Sequence, residues 1–171
     1  MEAALYRRSL LLAGLGLSIA ACKKQTAETA PPAPRPISAA ATAEFCGMGL
    51  LEHPGPKAQI FVRDRPDPYW FATVRDAIAF TRLPEMPKDI AVIWVSDMAH
   101  THDWQQPDVW VDAARAVFVI GSRRRSGMET DEAVPFSDAD VARRFAETEG
   151  GRVVRLPEIP SSYIFPEGTR S

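Results

Sequence analysis

Along residues 45–171 the apolar positions follow two alternating rhythms. Short β-rich runs at Ala58–Val62 and Tyr69–Phe71 give way to Val74, Ala77, Ile78 and Thr81, spaced i, i+3, i+4, i+7. That spacing lays one apolar stripe along a helix and predicts a helix over 73–83, capped by Thr73 with Asp76 at the third position. The continuous apolar run 90–95 predicts a buried strand, and 109–112 and 116–120 predict two more. A second helix is predicted over 137–149, with Ser137 as its cap, Asp140 at the third position, and Phe136 and Val141 as an apolar staple. Gly150-Gly151 ends it, and 152–156 reads as the last strand.

The order of these elements carries a weak internal repeat. Phe71 and Phe80 share their spacing with Phe136 and Phe145, each pair bracketing the start and middle of a helix. Gly47-Met48 precedes the first unit and Gly127-Met128 the second helix and its strands. Two ββαβ-like units, about 45–98 and 109–156, make an α+β fold with a mixed or antiparallel sheet. Trp70, Trp94, Trp104, Trp110 and the phenylalanines are read as its core.

The first 44 residues do not belong to that pattern. Arg7 and Arg8 precede an apolar stretch over 10–21, too short to span a bilayer and arranged like an export signal of the twin-arginine type. The stretch ends Ile19-Ala20-Ala21-Cys22, which resembles a bacterial lipobox. On this reading 1–21 is a lipoprotein signal peptide, Cys22 is lipidated, and Cys46 is the single thiol of the mature chain. A simple signal with Cys22 a free thiol, and an uncleaved anchor helix, are the alternatives. Residues 22–44 read as the lipidated cysteine and a flexible tether, rich in Ala and Thr, with Pro31, Pro32, Pro34 and Pro36 close together. Such a segment favours extended backbone at about 3.1 Å per residue, so residues 23–44 could reach roughly 70 Å. The domain proper is then 45–171.

Charge and composition narrow the function. Twenty basic residues against 22 acidic ones give a net charge of −2, which excludes a nucleic-acid footprint at the level of the whole chain. Apolar residues at 46% and charged residues at 25% describe an ordinary globular protein. Phosphate-cradling glycine loops, paired zinc-protease histidines and the nucleophile elbow of esterases are all missing from the mature sequence. What remains is sulfur. In Cys46-Gly47-Met48 a thiol and a thioether stand two residues apart, and in an extended segment both point to one side. Thiolate and thioether form a soft donor pair that suits Cu(I) and is poor for Mg, Ca or Mn. Both sulfurs as core packing is the plainer alternative. A lone thiol in an oxidising compartment favours the metal. His100-Thr101-His102 reads first as a solvated loop, with His100 as a further donor the alternative, and His53 as a loop residue before Pro54. Arg123-Arg124-Arg125 is either a solvated loop or a docking patch for an acidic surface.

Several segments together carry a resemblance. Phe45-Cys46-Gly47-Met48, His53-Pro54-Gly55-Pro56-Lys57, Val95-Ser96-Asp97-Met98, Trp110-Val111-Asp112, Phe118-Val119-Ile120-Gly121-Ser122 and Gly127-Met128 occur in this order. The chain thereby resembles the NosL family, copper-binding lipoproteins encoded with nitrous oxide reductase. The resemblance covers nearly all of 45–156 and implies a pair of ββαβ units. It also implies Cu(I) binding without catalytic turnover, and copper delivery to the reductase alongside ABC-transporter-associated maturation proteins. Cys46 and Met48 match the family's Cys-x-Met ligands, Met128 its distant methionine, and Met98 a further, weaker position. Three departures stand out. Ala43 occupies the place of an earlier cysteine, Ser96 that of a family histidine before Asp97-Met98, and the chain lacks a histidine-rich tail.

The sequence thus points to a Cu(I) metallochaperone held on the periplasmic face of a bacterial membrane. Lys23 after the lipidated cysteine, in place of a retaining aspartate, favours the outer membrane. Two rivals are a thiol-dependent enzyme with Cys46 as nucleophile and His53 as base, and a structural lipoprotein adaptor. The anchor has a direct test. Expressed with its leader, the protein should partition into detergent, and Cys22→Ser should abolish this; an unmodified Cys22 in the mass spectrum of the mature protein rules the anchor out.

Overall fold

Residues 30–101 and 103–166 are described by a computed structural model of the chain. The leader, Cys22, the start of the tether, His102 and residues 167–171 lie outside the described residues. Two antiparallel sheets and the helices between their strands make an α+β fold. Strands β1 (Ala58–Val62), β2 (Tyr69–Phe71), β3 (Ile90–Ser96) and β4 (Trp110–Asp112) form the first sheet in the order β2-β1-β3-β4. Strands β5 (Val117–Ile120), β6 (Val134–Phe136) and β7 (Arg152–Arg155) form the second in the order β6-β5-β7. Helix α1 (Val74–Arg82) joins β2 to β3, α2 (Ala139–Glu149) joins β6 to β7, and a short α3 (Ser161–Ile164) follows.

The second unit begins later than the expected 109. Trp110, Val111 and Asp112 pair with Ser96, Val95 and Trp94, so β4 extends the first sheet and the second starts at β5. Apolar spacing identifies a three-residue strand but not the edge it joins. Strand β6 was not among the expected strands, because Pro135 interrupts a three-residue run. On the edge position that β6 holds, a residue without an N–H is tolerated.

Strand β5 shows why its run is apolar at every position. Phe118 and Ile120 enter the main core with Ile60, Phe71, Phe80 and Val95. Val117 and Val119 face the other way, into a second cluster with Phe136, Ala142 and Phe145. Side chains alternate across a strand, so one covered on both faces cannot afford a polar residue on either.

The helix caps explain one further difference. Thr73 Oγ1 accepts from the Asp76 N–H at 3.0 Å, as its sequence predicts. The α2 cap is Asp138, not Ser137: its Oδ1 accepts from the N–H groups of Asp140 at 2.7 Å and Val141 at 3.1 Å. Ser137 is taken by Asp97, donating its N–H to Oδ1 at 2.9 Å and its hydroxyl to Oδ2 at 2.6 Å. Either residue type can cap; the long-range carboxylate decides which one is free.

Part of the expected tether, 22–44, is docked on the domain. The Trp94 indole N–H donates to Pro32 O at 2.9 Å. Arg35 exchanges two backbone bonds with the side-chain amide of Gln59, at 2.8 and 3.1 Å, and its guanidinium pairs with Asp67. Ala41 and Ala43 are buried with Leu50 and Ala72. Gln59 lies in the middle of β1, fully buried, and its amide is satisfied by this strap. Prolines lower the entropy lost on fixing such a segment, so the same composition that reads as a linker also makes a cheap strap.

One buried carboxyl ties the second unit to the first. Glu132 is 1% exposed, and its oxygens accept from the N–H groups of Val74 at 3.3 Å and Arg75 at 3.1 Å in the first turn of α1. They also accept from Ala133 N–H at 2.8 Å. Burial pushes its pKa up to about 8, against the pull of these donors. Between pH 4.5 and 8 the unfolded chain has therefore released a proton that the folded chain keeps, so this group's contribution to stability falls as pH rises through that window. The expected loss approaches about 1 kcal/mol per pH unit. Urea midpoints of wild type and Glu132→Gln at pH 5 and 7.5 check this. Wild type should lose stability relative to the variant at the higher pH, and parallel profiles contradict the assignment.

Candidate metal centre

The segment 41–50 folds back on itself. Thr42 and Gly49 form an antiparallel bridge, the Ala43 N–H donates to Met48 O at 2.9 Å, and the Leu50 N–H donates to Ala41 O at 2.9 Å. The Gly47 N–H donates to Ala43 O at 2.8 Å and closes the tip, while the Glu44 N–H donates to Trp70 O at 2.8 Å and fixes the loop on β2. Cys46-Gly47-Met48 is thus a turn, not the extended segment that the i, i+2 reading assumes. Gly47 has φ +69°, and a Cβ there would meet nothing within 4 Å. Backbone conformation, not space, calls for glycine. Cys46 is exposed at the tip, a free thiol with no hydrogen bond among the described residues, and Met48 is half-buried.

Met128 reaches this loop from the other unit. Its half-buried side chain packs on the cluster of Ala41, Ala43, Leu50 and Ala72, beside Trp70. The preceding residue explains the approach. A Cβ on Gly127 would lie 2.3 Å from Pro54 O and 2.8 Å from His53 Cβ, so only glycine lets the two backbones close. The His53 ring takes part: Nδ1 lies 3.3 Å from Gly127 O, and Nε2 is buried with no hydrogen-bond partner among the described residues. Since a carbonyl only accepts, that contact sets the proton on Nδ1 and leaves Nε2 a lone pair. Lys57 grips the same loop from beneath, its ammonium donating to Pro54 O at 3.2 Å and Gly55 O at 2.6 Å. Burial pushes the Lys57 pKa down to about 8, and the Glu132 charge opposes that fall.

Two expected positions lie elsewhere. Met98 packs in the second cluster with Trp104 and Phe145, and its N–H donates to Pro135 O at 3.0 Å, so it does not join the cluster that holds Met128. His100 is largely exposed, with Nδ1 2.7 Å from Asp97 Oδ2. Burial raises the Asp97 pKa, but the donors from Ser137, His100 and Ala99 outweigh it and hold the carboxyl below its ordinary value. The basic run is engaged within its own unit. Arg123 donates to Thr148 O at 2.6 Å, Arg124 lies 4.3 Å over the Trp104 ring, and Arg125 pairs with Asp131.

Sequence reasoning set His53 aside as a loop residue. The available signal was its position five residues after Met48, at the head of the Pro54-Gly55-Pro56-Lys57 turn; its burial against Gly127 needed the fold. Among the described residues no three of His, Cys, Asp and Glu converge, so a hard-ligand site is not formed. Thiol, thioethers and an imidazole lone pair are a soft set instead. Among the described residues the Cys46 thiol makes no hydrogen bond, to His53 or to any other base.

Comparison with known proteins agrees with this architecture. The NosL family profile matches residues 34–164. The copper-binding lipoprotein NosL of Achromobacter cycloclastes is 43% identical over 160 residues, covering 92% of this chain and 82% of that protein. Its counterpart in Stutzerimonas stutzeri is 29% identical over 121 residues, 70% of this chain and 62% of that one. The crystal structure of the copper chaperone NosL from Shewanella denitrificans superposes with a TM-score of 0.72 at 29% identity, covering 77% of this chain and 99% of that one.

The close approach at Gly127 can be measured. Gly127→Ala should cost about 1–3 kcal/mol of stability in urea, the scale of an overpacked contact. It should also shift the His53 and Met128 resonances together. An unchanged urea midpoint shows that the two loops do not close as described.

Proposed function

The chain belongs to the NosL family, and on that premise we propose that it is a Cu(I) chaperone whose cargo is held by Cys46, Met48 and Met128. The observation that carries this reading is the packing of Met128, 80 residues away in sequence, on the loop that presents Cys46 and Met48. His53 Nε2 adds a neutral nitrogen donor at the same loops, its proton kept on the far side of the ring by Gly127 O. Cys46 supplies the formal charge as thiolate, so binding releases a proton and strengthens with pH until the thiol is already ionised. Such a site protects Cu(I) while leaving the exposed Cys46 side open to an incoming ligand.

The wider role follows the family. The cargo is passed on for assembly of the copper site of nitrous oxide reductase, together with ABC-transporter-associated maturation proteins. Lipidated Cys22 holds the protein on the periplasmic face of a bacterial membrane, the outer one favoured by Lys23. No helix among the described residues is long and apolar enough to cross a membrane. The work is binding and transfer, without catalytic turnover.

Anaerobic Cu(I) titration against a competing chelator tests the ligand set. Cys46→Ala should lose about a hundredfold or more in affinity, roughly 2.7 kcal/mol, and Met48→Ala less. Wild type with Cu(I) at a hundredfold excess over its dissociation constant should melt higher by the equivalent of about 2.7 kcal/mol, and Met128→Ala should lose most of that rise. Wild-type affinity in Cys46→Ala overturns the site. An undiminished rise in Met128→Ala removes Met128 from it.

A further inference from the structure

Beside the sulfur donors runs a groove of about 650 Å³ that the copper site itself does not use. Met128, Thr130 and Phe45, the neighbour of Cys46, line one end, and Leu83 and Pro84 after α1 line it further along. Its apolar character is unusually open: Phe45 is 44% exposed and Phe165 41%. Phe45 nonetheless has a fixed place, edge-on to Phe71 with ring centroids 5.6 Å apart.

The groove's charge is unbalanced. Arg75 and Arg82 both line it, and each guanidinium is held by a carbonyl rather than a carboxylate. Arg75 donates to Ile164 O at 3.0 Å and Arg82 to Ile159 O at 2.9 Å. Neither forms an ion pair among the described residues. Against these two cations the lining offers one carboxyl, Asp76, which accepts from Thr73 at the start of α1 as part of the capped turn; burial raises its pKa, and Thr73 and the neighbouring Arg75 charge oppose that rise. Each guanidinium keeps donors unused by its single carbonyl, in a fork that suits a carboxylate. Two oriented guanidinium groups on an apolar floor complement an acidic partner with an unbranched apolar side chain.

We propose that this groove receives an extended segment of the copper-accepting protein, one carrying a methionine flanked by carboxylates. The apolar floor takes the methionine, Arg75 and Arg82 take the acids, and the segment is delivered beside Met128 and Cys46. An arriving thioether is the soft donor that ligand exchange requires. This assignment rests on the copper reading above for the meaning of the contact, though not for the contact itself.

The test uses the full chain in detergent micelles with [13C-methyl]methionine. The probe is the capped peptide Ac-Asp-Glu-Met-Leu-Asp-NH2, and its counterpart Ac-Lys-Lys-Met-Leu-Lys-NH2 is the charge control. The acidic peptide should shift the Met128 methyl signal and leave Met98, in the second cluster, unmoved. Arg75→Gln with Arg82→Gln should weaken binding at least tenfold, with an unmoved Met98 signal reporting an intact fold. Arg75→Lys with Arg82→Lys should retain most of it. The proposal is overturned if Met128 does not respond, if the basic peptide binds as well, or if the glutamine variants bind like wild type. It is equally overturned if removing 167–171 tightens the peptide tenfold, which makes the chain's own end the occupant, or if Met128 shifts with protein concentration alone, which makes it a second copy. Cys46→Ala should bind the peptide normally while losing Cu(I). If wild type itself fails to take Cu(I), the copper reading falls whatever the peptide does.

Discussion

The arrangement depends on the carboxyl of Glu132 lying in the first turn of α1. A helix start presents N–H groups with no partner of their own, and a buried acceptor there satisfies them in a way that an apolar contact cannot. Glu132 comes from the segment leading into β6, while α1 joins β2 to β3 of the first sheet. The two sheets are small, and neither buries its own strands alone. Once Glu132 is seated, the residues just before it have little choice of path. Gly127 is drawn against Pro54, and Met128 follows onto the loop that carries Cys46.

The residues proposed as soft donors therefore lie along a seam, and the seam is tied down on one side. Lys57 and Gly127 hold the His53-Pro54-Gly55 turn from opposite sides. The loop that carries Cys46 is held by the Thr42–Gly49 bridge, the bonds to Ala43 O and Trp70 O, and Phe45 against Phe71, while Cys46 itself stays exposed. A rigid wall facing a thiol on an exposed turn is a sensible division for a carrier. On the proposed ligand set, the wall would keep the cargo site formed when empty, and the tip would be the side from which an acceptor approaches.

Much of this was legible in the chain. Helices α1 and α2, most of the strands and the α+β class follow from the spacing of apolar residues, because that spacing records which face is buried; the short α3 was not foreseen. The Thr73 cap follows from local chemistry alone. What failed did so for long-range reasons. Ser137 looks like a cap until Asp97, 40 residues away, claims it. Residues 109–112 look like the start of a second unit until β3 takes them as an edge. Cys46-Gly47-Met48 can serve one ion in an extended or a turned form, and only the φ of Gly47 separates the two. His53 carries only a weak local signal, its place at the head of the Pro54-Gly55-Pro56-Lys57 turn, and the rest of its meaning lies in a glycine 74 residues later.

The proline-rich strap changes how far this domain can roam. Measured from a lipid on Cys22, a tether running to residue 44 sweeps a hemisphere roughly 70 Å in radius. With Pro32 bound by Trp94, a chain anchored at Cys22 would have nine residues between lipid and strap, which even fully extended span only about 30 Å. Volume goes as the cube, so a partner in the same membrane meets the domain at roughly tenfold higher effective concentration. On the proposed Cys22 anchor, the strap would make the protein a near neighbour of the bilayer, suited to handing its cargo to something embedded there or held equally close.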